Sequence, residues 1–204
     1  MVVNDAPNFM KREFLLILKI TILISILLVL FVSPPSFSKV YMTRDEALKL
    51  AFPGADRVEK KTVFLTEEEA REIESISKTA LDSKLYIVYV GKEGGETLGY
   101  AVIDTHLLRT VTETIMVLIK PDGTLRQVEI LAFFEPPDYM PPDSWMGLFR
   151  GKKLAPSLQV GRGIPNITGA TITSNSMASS VRRIMAVFQV ALQGRKEVSV
   201  EGEN

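Results

Sequence analysis

Hydrophobic and polar positions form four successive patterns along the chain. An apolar run from Phe14 to Val32, interrupted only by Lys19, Thr21 and Ser25, comes first. Two short amphipathic stretches follow, then a series of β-branched and aromatic runs, and last a long apolar stripe at helical spacing. This order predicts an N-terminal apolar helix and then an α+β fold, in which an antiparallel β-sheet packs against helices.

Residues 1–38 are predicted to be a signal peptide or a membrane anchor. Lys11 and Arg12 precede the apolar run, and prolines and small residues up to Ser38 follow it. A basic flank, an apolar core and small residues before a cleavage site are typical of signal peptides. An uncleaved run of this length is nearly long enough to span a bilayer. Both alternatives place the bulk of the chain outside the cytoplasm, either in the periplasm or anchored to the cell membrane.

Residues 39–82 are predicted to be a helical N-terminal segment. Thr43 and Thr66 are each followed three residues later by Glu. This is the capping-box pattern, in which the two side chains satisfy backbone N–H groups at a helix start. The first helix is predicted to end at Phe52, and the second at about Leu81.

From residue 85 the sequence takes on the pattern of β-strands. β-Branched and aromatic runs are separated by turn residues, including a Pro-Asp-Gly hairpin signal at residues 121–123. The predicted strands are Leu85–Val90, Leu98–Ile103, Thr112–Ile119 and Leu125–Phe134.

A cluster of hydroxyl side chains lies before the last predicted helix. From Met177 to Leu192 apolar residues recur at i, i+3, i+4 and i+7, and residues 168–174 read Thr-Gly-Ala-Thr-Ile-Thr-Ser. The first N–H groups of a helix are unpaired and the helix dipole is positive there, so such a position binds phosphate readily. Gly169 also permits a tight turn close to a ligand.

The residues alone leave a simpler interpretation open. Thr173 or Ser174 is then the N-cap of the last helix, and Thr168-Gly169 is an ordinary turn. A Gly-Ala-Thr tripeptide by itself therefore supports a binding site only as a hypothesis.

The composition excludes several functional classes. The chain has no cysteine, so thiolate zinc sites and Cys-ligated iron–sulfur clusters are excluded. Lys+Arg and Asp+Glu both number 24 without a basic stripe, so nucleic acid is not an expected partner. The single histidine, His106, is interpreted as a surface or strand residue rather than a metal ligand. Redox chemistry would therefore need a bound organic cofactor.

Residues 168–174 resemble the signature of the FMN-binding domain. That domain occurs in the G subunit of the Rnf electron-transport complex and in the C subunit of the Na⁺-translocating NADH:quinone oxidoreductase. The resemblance extends over roughly residues 84–192. It implies FMN joined by a phosphoester to Thr171, a bond made by a dedicated flavin transferase. The same resemblance implies a phosphate site formed by Thr168, Gly169, Ala170, Thr173 and Ser174.

Three further residues are candidates for contact with the flavin ring. An isoalloxazine ring needs an apolar aromatic slot with a few polar contacts. Tyr139 and Trp145 lie on or beside a proline-rich loop after the last strand, and Glu135 at the strand end could accept a hydrogen bond from the ring. The alternatives are packing against the sheet for the aromatic residues and a surface carboxylate for Glu135. Trp145 lies within a short helix that is predicted at Asp143–Arg150.

The leading hypothesis is an exported or membrane-anchored electron carrier with covalent FMN, working with membrane redox subunits or quinone-linked partners. Its FMN-binding domain would span residues 83–193, followed by a flexible tail at 194–204. Pro165 stands where the family usually has Asp, and Glu135-Pro136-Pro137-Asp138 replaces its Glu-Thr-Pro-Gly loop. These departures keep two alternatives open: a noncovalent FMN protein, and a cofactor-free exported binding or assembly module.

Overall fold

Most of the N-terminal apolar run lies in a helix that belongs to a compact unit of its own. The computed structural model describes residues 6–30 and 39–194, which belong to two compact units divided after residue 36. The first unit contains α1 (Ala6–Leu30), and its apolar side chains, such as Phe14 and Leu23, are exposed. Within the two described ranges, no helix combines the length and the apolar character needed to cross a membrane. The predicted cleavage site at Ser38 and residues 195–204 of the predicted tail lie outside the described residues.

A six-stranded antiparallel sheet forms the second unit and confirms the predicted α+β class. Its strands are β1 (Lys39–Val40), β2 (Arg57–Phe64), β3 (Leu85–Glu93), β4 (Glu96–Leu107), β5 (Thr112–Ile119) and β6 (Leu125–Phe133). They lie side by side in the order β1-β6-β5-β4-β3-β2. The four predicted strands are β3 to β6, and the Pro-Asp-Gly turn joins β5 to β6 as predicted, with Gly123 at a φ of 79°.

The two edge strands were not predicted, because residues 39–82 were expected to be helical. β2 pairs with β3 along its whole length, from Arg57 opposite Lys92 to Phe64 opposite Leu85. Most of its side chains are exposed and several are charged. An edge strand of this kind buries little apolar surface, so its sequence lacks the alternation that marks a half-buried strand.

Helices cover both faces of the sheet. The helices of the second unit are α2 (Arg44–Ala51), α3 (Glu67–Ser77), α4 (Asp143–Met146) and α5 (Thr171–Val187), with 3₁₀ turns at Pro137–Tyr139 and Gly147–Phe149 and a π-helical extension at Phe188–Gly194. Both predicted capping boxes are present, at Thr43 and at Thr66. α3 ends earlier than predicted, because Lys78 adopts a left-handed conformation with a φ of 57°.

Side chains along the central strands alternate between the two faces of the sheet. Val88, Val102 and Val117 belong to a core shared with α3 and α5. Their neighbours along the strands face the opposite core, which contains Phe52 at the end of α2. Successive residues of a strand point to opposite faces, so both faces of these central strands are buried.

A buried arginine fixes α5 against α3. The Arg182 guanidinium donates to the backbone oxygens of Ser77 at 2.7 Å, of Ile76 at 3.2 Å and of Ala155 at 2.8 Å. These bonds tie the middle of α5 to the C-terminal end of α3 and to the loop that precedes α5. They therefore fix the position of α5, including its N-terminus.

Candidate functional site

The Thr-Gly-Ala-Thr stretch forms a tight turn that leads directly into α5. The N–H of Ala170 donates to the backbone oxygen of Ile167 at 3.0 Å, and Gly169 has a φ of 84°. That left-handed conformation favours glycine. α5 begins at Thr171, and its N-cap, Ala170, makes no side-chain capping bond. The interpretation of Thr173 or Ser174 as the N-cap is therefore wrong, whereas the predicted turn at Thr168-Gly169 is confirmed.

Asn166 orients the side chain of Thr171. Its Nδ2 donates to Thr171 Oγ1 at 2.9 Å, and its Oδ1 accepts a hydrogen bond from Ser174 Oγ at 2.8 Å. Thr171 is exposed, whereas Ser174 is fully buried. Thr171 Oγ1 is the acceptor in its bond to Asn166, so this contact does not use the hydroxyl proton. The arrangement presents one oriented hydroxyl to solvent at the start of a helix.

Thr173 connects α5 to the loop that follows β6. Its side chain is 1% exposed, and its Oγ1 donates to Glu135 Oε2 at 2.9 Å. Glu135 is therefore more than a surface carboxylate, because it anchors the first turn of α5. A cavity of about 230 Å³ opens beside this bond and is lined by Arg109, Glu135, Tyr139, Gly169, Ala170, Thr171, Ile172 and Thr173.

The two predicted aromatic contacts differ in position. Tyr139 is 41% exposed and lines the small cavity. Trp145 is 5% exposed and packs edge to face on Phe149, with its Nε1 donating to Pro165 O at 2.7 Å. Trp145 therefore belongs to the core and holds the loop before the turn, as in the packing alternative. Thr168 is exposed within the turn.

A second and larger cavity is also lined by Thr171. Its volume is about 720 Å³. It is bounded by the loop after α3, by the end of β4 and by one face of α5. Thr171 and Ile172 line both cavities. The lining residues of the larger cavity are Thr79, Ala80, Asp82, Thr105, His106, Leu107, Thr171, Ile172, Asn175, Ser176, Ser179 and Arg183.

His106 lies in a buried charged network at the wall of the larger cavity. Its Nδ1 is 3.0 Å from Asp104 Oδ2, and its Nε2 is 3.1 Å from Glu113 Oε2. Burial lowers the pKa of His106, but the bonds to the two carboxylates outweigh burial and raise it to about 9. Burial raises the pKa of Glu113, although His106 acts in the opposite direction.

This network reaches α5 through Asp104. The Asp104 carboxylate accepts hydrogen bonds from Ser180 Oγ at 2.6 Å and from Arg183 Nη2 at 3.1 Å. Burial raises the pKa of Asp104, but the bonds to His106, Ser180 and Arg183 outweigh it and lower the pKa overall. Two buried side-chain atoms in the part of the chain that the structure describes have no hydrogen-bond partner: Glu113 Oε1 and Arg183 Nε.

The charged network was not predicted, because His106 was interpreted as a residue without partners. A signal for it was available. Asp104 and His106 are two residues apart on a strand and so share a face, and the neighbouring strand places Glu113 directly opposite His106. Across residues 6–30 and 39–194, no group of three or more His, Asp or Glu side chains could hold a metal ion.

Comparison with known proteins assigns the class of this domain. Residues 111–186 match the model of the FMN-binding domain, a range that includes β5, β6 and nearly all of α5 together with the Thr171 turn. This match confirms the resemblance to the FMN-binding domain that was seen in the sequence.

The similarity to a curated protein extends over a longer stretch. The chain is 32% identical over 135 residues to the G subunit of the Na(+)-translocating ferredoxin:NAD(+) oxidoreductase complex of Acetobacterium woodii. The alignment covers 59% of this chain and 65% of that relative, so the chain spans just under two thirds of the relative's length. The chain is thus similar to the FMN-binding domain over residues 111–186 and, over a longer stretch, to the G subunit of that complex.

Proposed function

We propose that the protein is an exported electron carrier with FMN attached by a phosphoester to Thr171. The observation that carries this proposal is the placement of Thr171, an exposed hydroxyl at the uncapped N-terminus of a 17-residue helix. This position lies inside the region that matches the FMN-binding domain. The free N–H groups of the first turn and the positive end of the helix dipole stabilise a phosphodiester there.

The attachment requires one new bond at Thr171. The Thr171 Oγ–P bond forms while the P–O–P bond of FAD breaks, AMP leaves, and the hydroxyl proton passes to a base of the flavin transferase. Asn166 positions the hydroxyl for this reaction through its 2.9 Å bond. The family's usual Asp is replaced by Pro165, and Asn166, the next residue, supplies a polar side chain that faces Thr171.

The neighbouring residues hold the phosphate end of the cofactor. The backbone at Gly169 and Ala170 and the exposed Thr168 hydroxyl are close enough in sequence to contact phosphate oxygens. Thr173 and Ser174 keep the first turn rigid through their bonds to Glu135 and Asn166. Bound FMN supplies the one- and two-electron redox chemistry, while the polypeptide determines position and solvent access.

The partners of the carrier are proposed from the similarity to the Acetobacterium woodii protein. By its name, that relative belongs to an oxidoreductase complex that uses ferredoxin and NAD⁺. We therefore propose that this protein exchanges electrons with redox subunits of a membrane complex or with quinone-linked partners. A flavin transferase is the partner required for its maturation.

Export is proposed from the first 38 residues. Lys11 and Arg12 precede a run in which large apolar side chains are exposed along α1. A basic flank followed by an apolar helix is what the export machinery recognises in a signal sequence. Covalent attachment suits such a location, because a free cofactor would diffuse away from a protein outside the cytoplasm.

In-gel flavin fluorescence of denatured protein tests the proposal. Wild type, Thr171→Ala and the control Thr66→Ala are each coexpressed with the flavin transferase of the source organism, and the cells are fractionated. We expect fluorescent bands outside the cytoplasm for wild type and for Thr66→Ala, because the Thr66 hydroxyl only caps α3. The Thr171→Ala band is expected to be dark.

Two results would contradict the proposal. A dark wild-type band, obtained with a transferase that modifies a known substrate, would exclude covalent attachment. Flavin released from the native protein would then indicate noncovalent FMN, and its absence would indicate a cofactor-free module. A fluorescent Thr171→Ala band would place the attachment at another residue.

A further inference from the structure

We propose that a third cavity, between α3 and α5, binds an organic phosphate monoester. Its volume is about 510 Å³, which is within the range of about 300–1,000 Å³ that is usual for small-molecule sites. Its walls are the C-terminal end of α3, the loop before α5, and α5 with its π-helical extension. Thr171 does not line this cavity, and the inference does not depend on the proposed attachment there.

The charged side chains of the third cavity are all cationic. Lys78, Arg162 and Arg182 line it together with uncharged residues only. The whole chain has equal numbers of basic and acidic residues, 24 of each, so three cations without a carboxylate are a local segregation of charge. A cleft lined by charges of one sign raises the local concentration of ligands of the opposite sign. The third cavity therefore favours anions.

Arg182 provides a fixed positive charge in the wall of this cavity. It is 4% exposed, although it lines the cavity. Its hydrogen bonds within the described part of the chain all go to backbone oxygens, those of Ile76, Ser77, Ala155 and Leu158. Burial and the nearby Arg162 both lower the pKa of Arg182, but a guanidinium stays protonated. Buried charges are usually paired with an opposite charge, and an anion in the cavity would supply that partner.

The other polar side chains of the cavity suit a phosphate group. Lys78 and Arg162 are exposed, so their long side chains can close on a ligand beside Arg182. Arginine binds phosphate through two parallel N–H···O bonds, and a phosphate monoester carries a charge of about −1.5 to −2 at pH 7. That charge matches three cations better than the single charge of a carboxylate. Gln159 and Gln189 add uncharged hydrogen-bond donors.

Apolar side chains in the same cavity indicate that the phosphate belongs to an organic molecule. Ile76, Leu154 and Pro156 line the cavity, and Ile76 and Leu154 pack against the main core. An inorganic ion would leave these side chains in contact with water, whereas the carbon skeleton of an ester would cover them. Both a soluble phosphate ester and the headgroup of phosphatidic acid have this chemistry.

Two arginine variants test the assignment. Arg162→Gln removes one cation of the third cavity. Arg109→Gln is the matched control, because Arg109 is also an exposed arginine but lines the cavity of about 230 Å³ beside the Thr171 turn. Full-length wild type and both variants are titrated with phenyl phosphate in a calorimeter, and wild type is also titrated with inorganic phosphate. Urea unfolding checks that each variant is folded.

We expect phenyl phosphate to bind wild type and Arg109→Gln equally well, and Arg162→Gln about tenfold more weakly, because charge-assisted hydrogen bonds to the phosphate are lost. Inorganic phosphate should bind wild type more weakly than phenyl phosphate does. Absence of phenyl phosphate binding to wild type, or an unchanged affinity in Arg162→Gln, would overturn the inference. Equal losses in both variants would also overturn it, because they would indicate only a general attraction to positive charge. Equal affinities for the two phosphates would contradict an organic ligand.

Vesicles distinguish the two sources of the phosphate. Sedimentation of wild type and Arg162→Gln is compared with vesicles of phosphatidylcholine alone and with vesicles that also contain phosphatidic acid. Phosphatidylcholine is the control for binding through the apolar helix α1. A gain on phosphatidic acid that Arg162→Gln loses would identify the lipid headgroup as the ligand, and a gain that is the same in both proteins would identify a soluble ester.

Discussion

The N-termini of α2 and α3 differ from the N-terminus of α5 in how their first N–H groups are satisfied. Thr43 and Thr66 have ψ angles of 161° and 168°, and each accepts a bond from the backbone of a Glu that caps the threonine in return. Ala170 has a ψ of 41° and makes no side-chain cap. The first turn of α5 contains hydroxyls, but those of Thr173 and Ser174 bond to other residues. A threonine N-cap thus closes the first two helices, whereas the alanine N-cap leaves the third without a side-chain cap.

The two kinds of helix start also differ in the titratable groups that surround them. The capping residue Glu46 is exposed, and its hydrogen bonds to Thr43 lower its pKa. Its contribution to stability is present above pH 4.5 and is lost as the pH falls through the lowered pKa. α5 is instead connected through Asp104 to the buried His106. The two regions should therefore respond to opposite ends of the pH scale.

The largest expected effect is a loss of stability at alkaline pH that originates at His106 on β4, which Asp104 connects to α5. The pKa of His106 is raised from 6.5 to about 9. Its contribution to stability is therefore complete below pH 6.5 and is lost as the pH rises through about 9. Urea unfolding should show a decrease in the free energy of unfolding of up to about 3 kcal/mol over this range. His106→Gln should remove most of this pH dependence.

Hydrogen exchange can test whether this loss of stability is confined to α5. Protection of the α5 amides should fall as the pH rises from 6.5 through about 9, after correction for the intrinsic exchange rate, while that of the α2 amides should stay constant. Equal losses in both helices would show that the His106 network supports the whole domain and that the comparison between the helix starts is wrong.

Contacts between residues that are close in the sequence could be predicted at these helix starts, but contacts between distant residues could not. The capping boxes at Thr43 and Thr66 depend on residues three positions apart, and the turn at Gly169 depends on one residue's conformation. Ala170 has no side-chain acceptor, so it cannot cap α5. The long-range part is the bond of Thr173 to Glu135. Glu135 is 38 residues from Thr173 in the chain, and no spacing rule connects such a pair.

The dependence on distant residues also explains why the edge strand β2 and the cavities were not predicted. β2 was missed because its pairing with β3 uses backbone groups and leaves its side chains exposed. The larger cavity needs the loop after α3, the end of β4 and α5 together, although α5 follows that loop by about ninety residues. The proposed attachment residue Thr171 could be found from the motif because the motif is contiguous.

A moderate effect is expected when a closed helix start is opened. Thr66→Ala removes the acceptor for the N–H of Glu69, which now lies 3.2 Å from Thr66 Oγ1. The free energy of unfolding should decrease by about 1 kcal/mol, measured by urea unfolding, with the covalent flavin content unchanged. Thr66→Ser is the matched control and should restore the stability, because serine caps equally well. A loss of flavin in Thr66→Ala would show that α3 takes part in the site.

The smallest effect is expected from the reverse change, the addition of a capping residue to the open start of α5. Serine is a good N-cap only when the backbone is extended, as at Thr43 and Thr66. Ala170, with a ψ of 41°, does not have that conformation and is nearly fully buried. Ala170→Ser should therefore change the free energy of unfolding by less than about 0.5 kcal/mol. A gain of about 1 kcal/mol together with a loss of covalent flavin would mean that the hydroxyl reaches the first N–H groups, and that the phosphate needs those same groups.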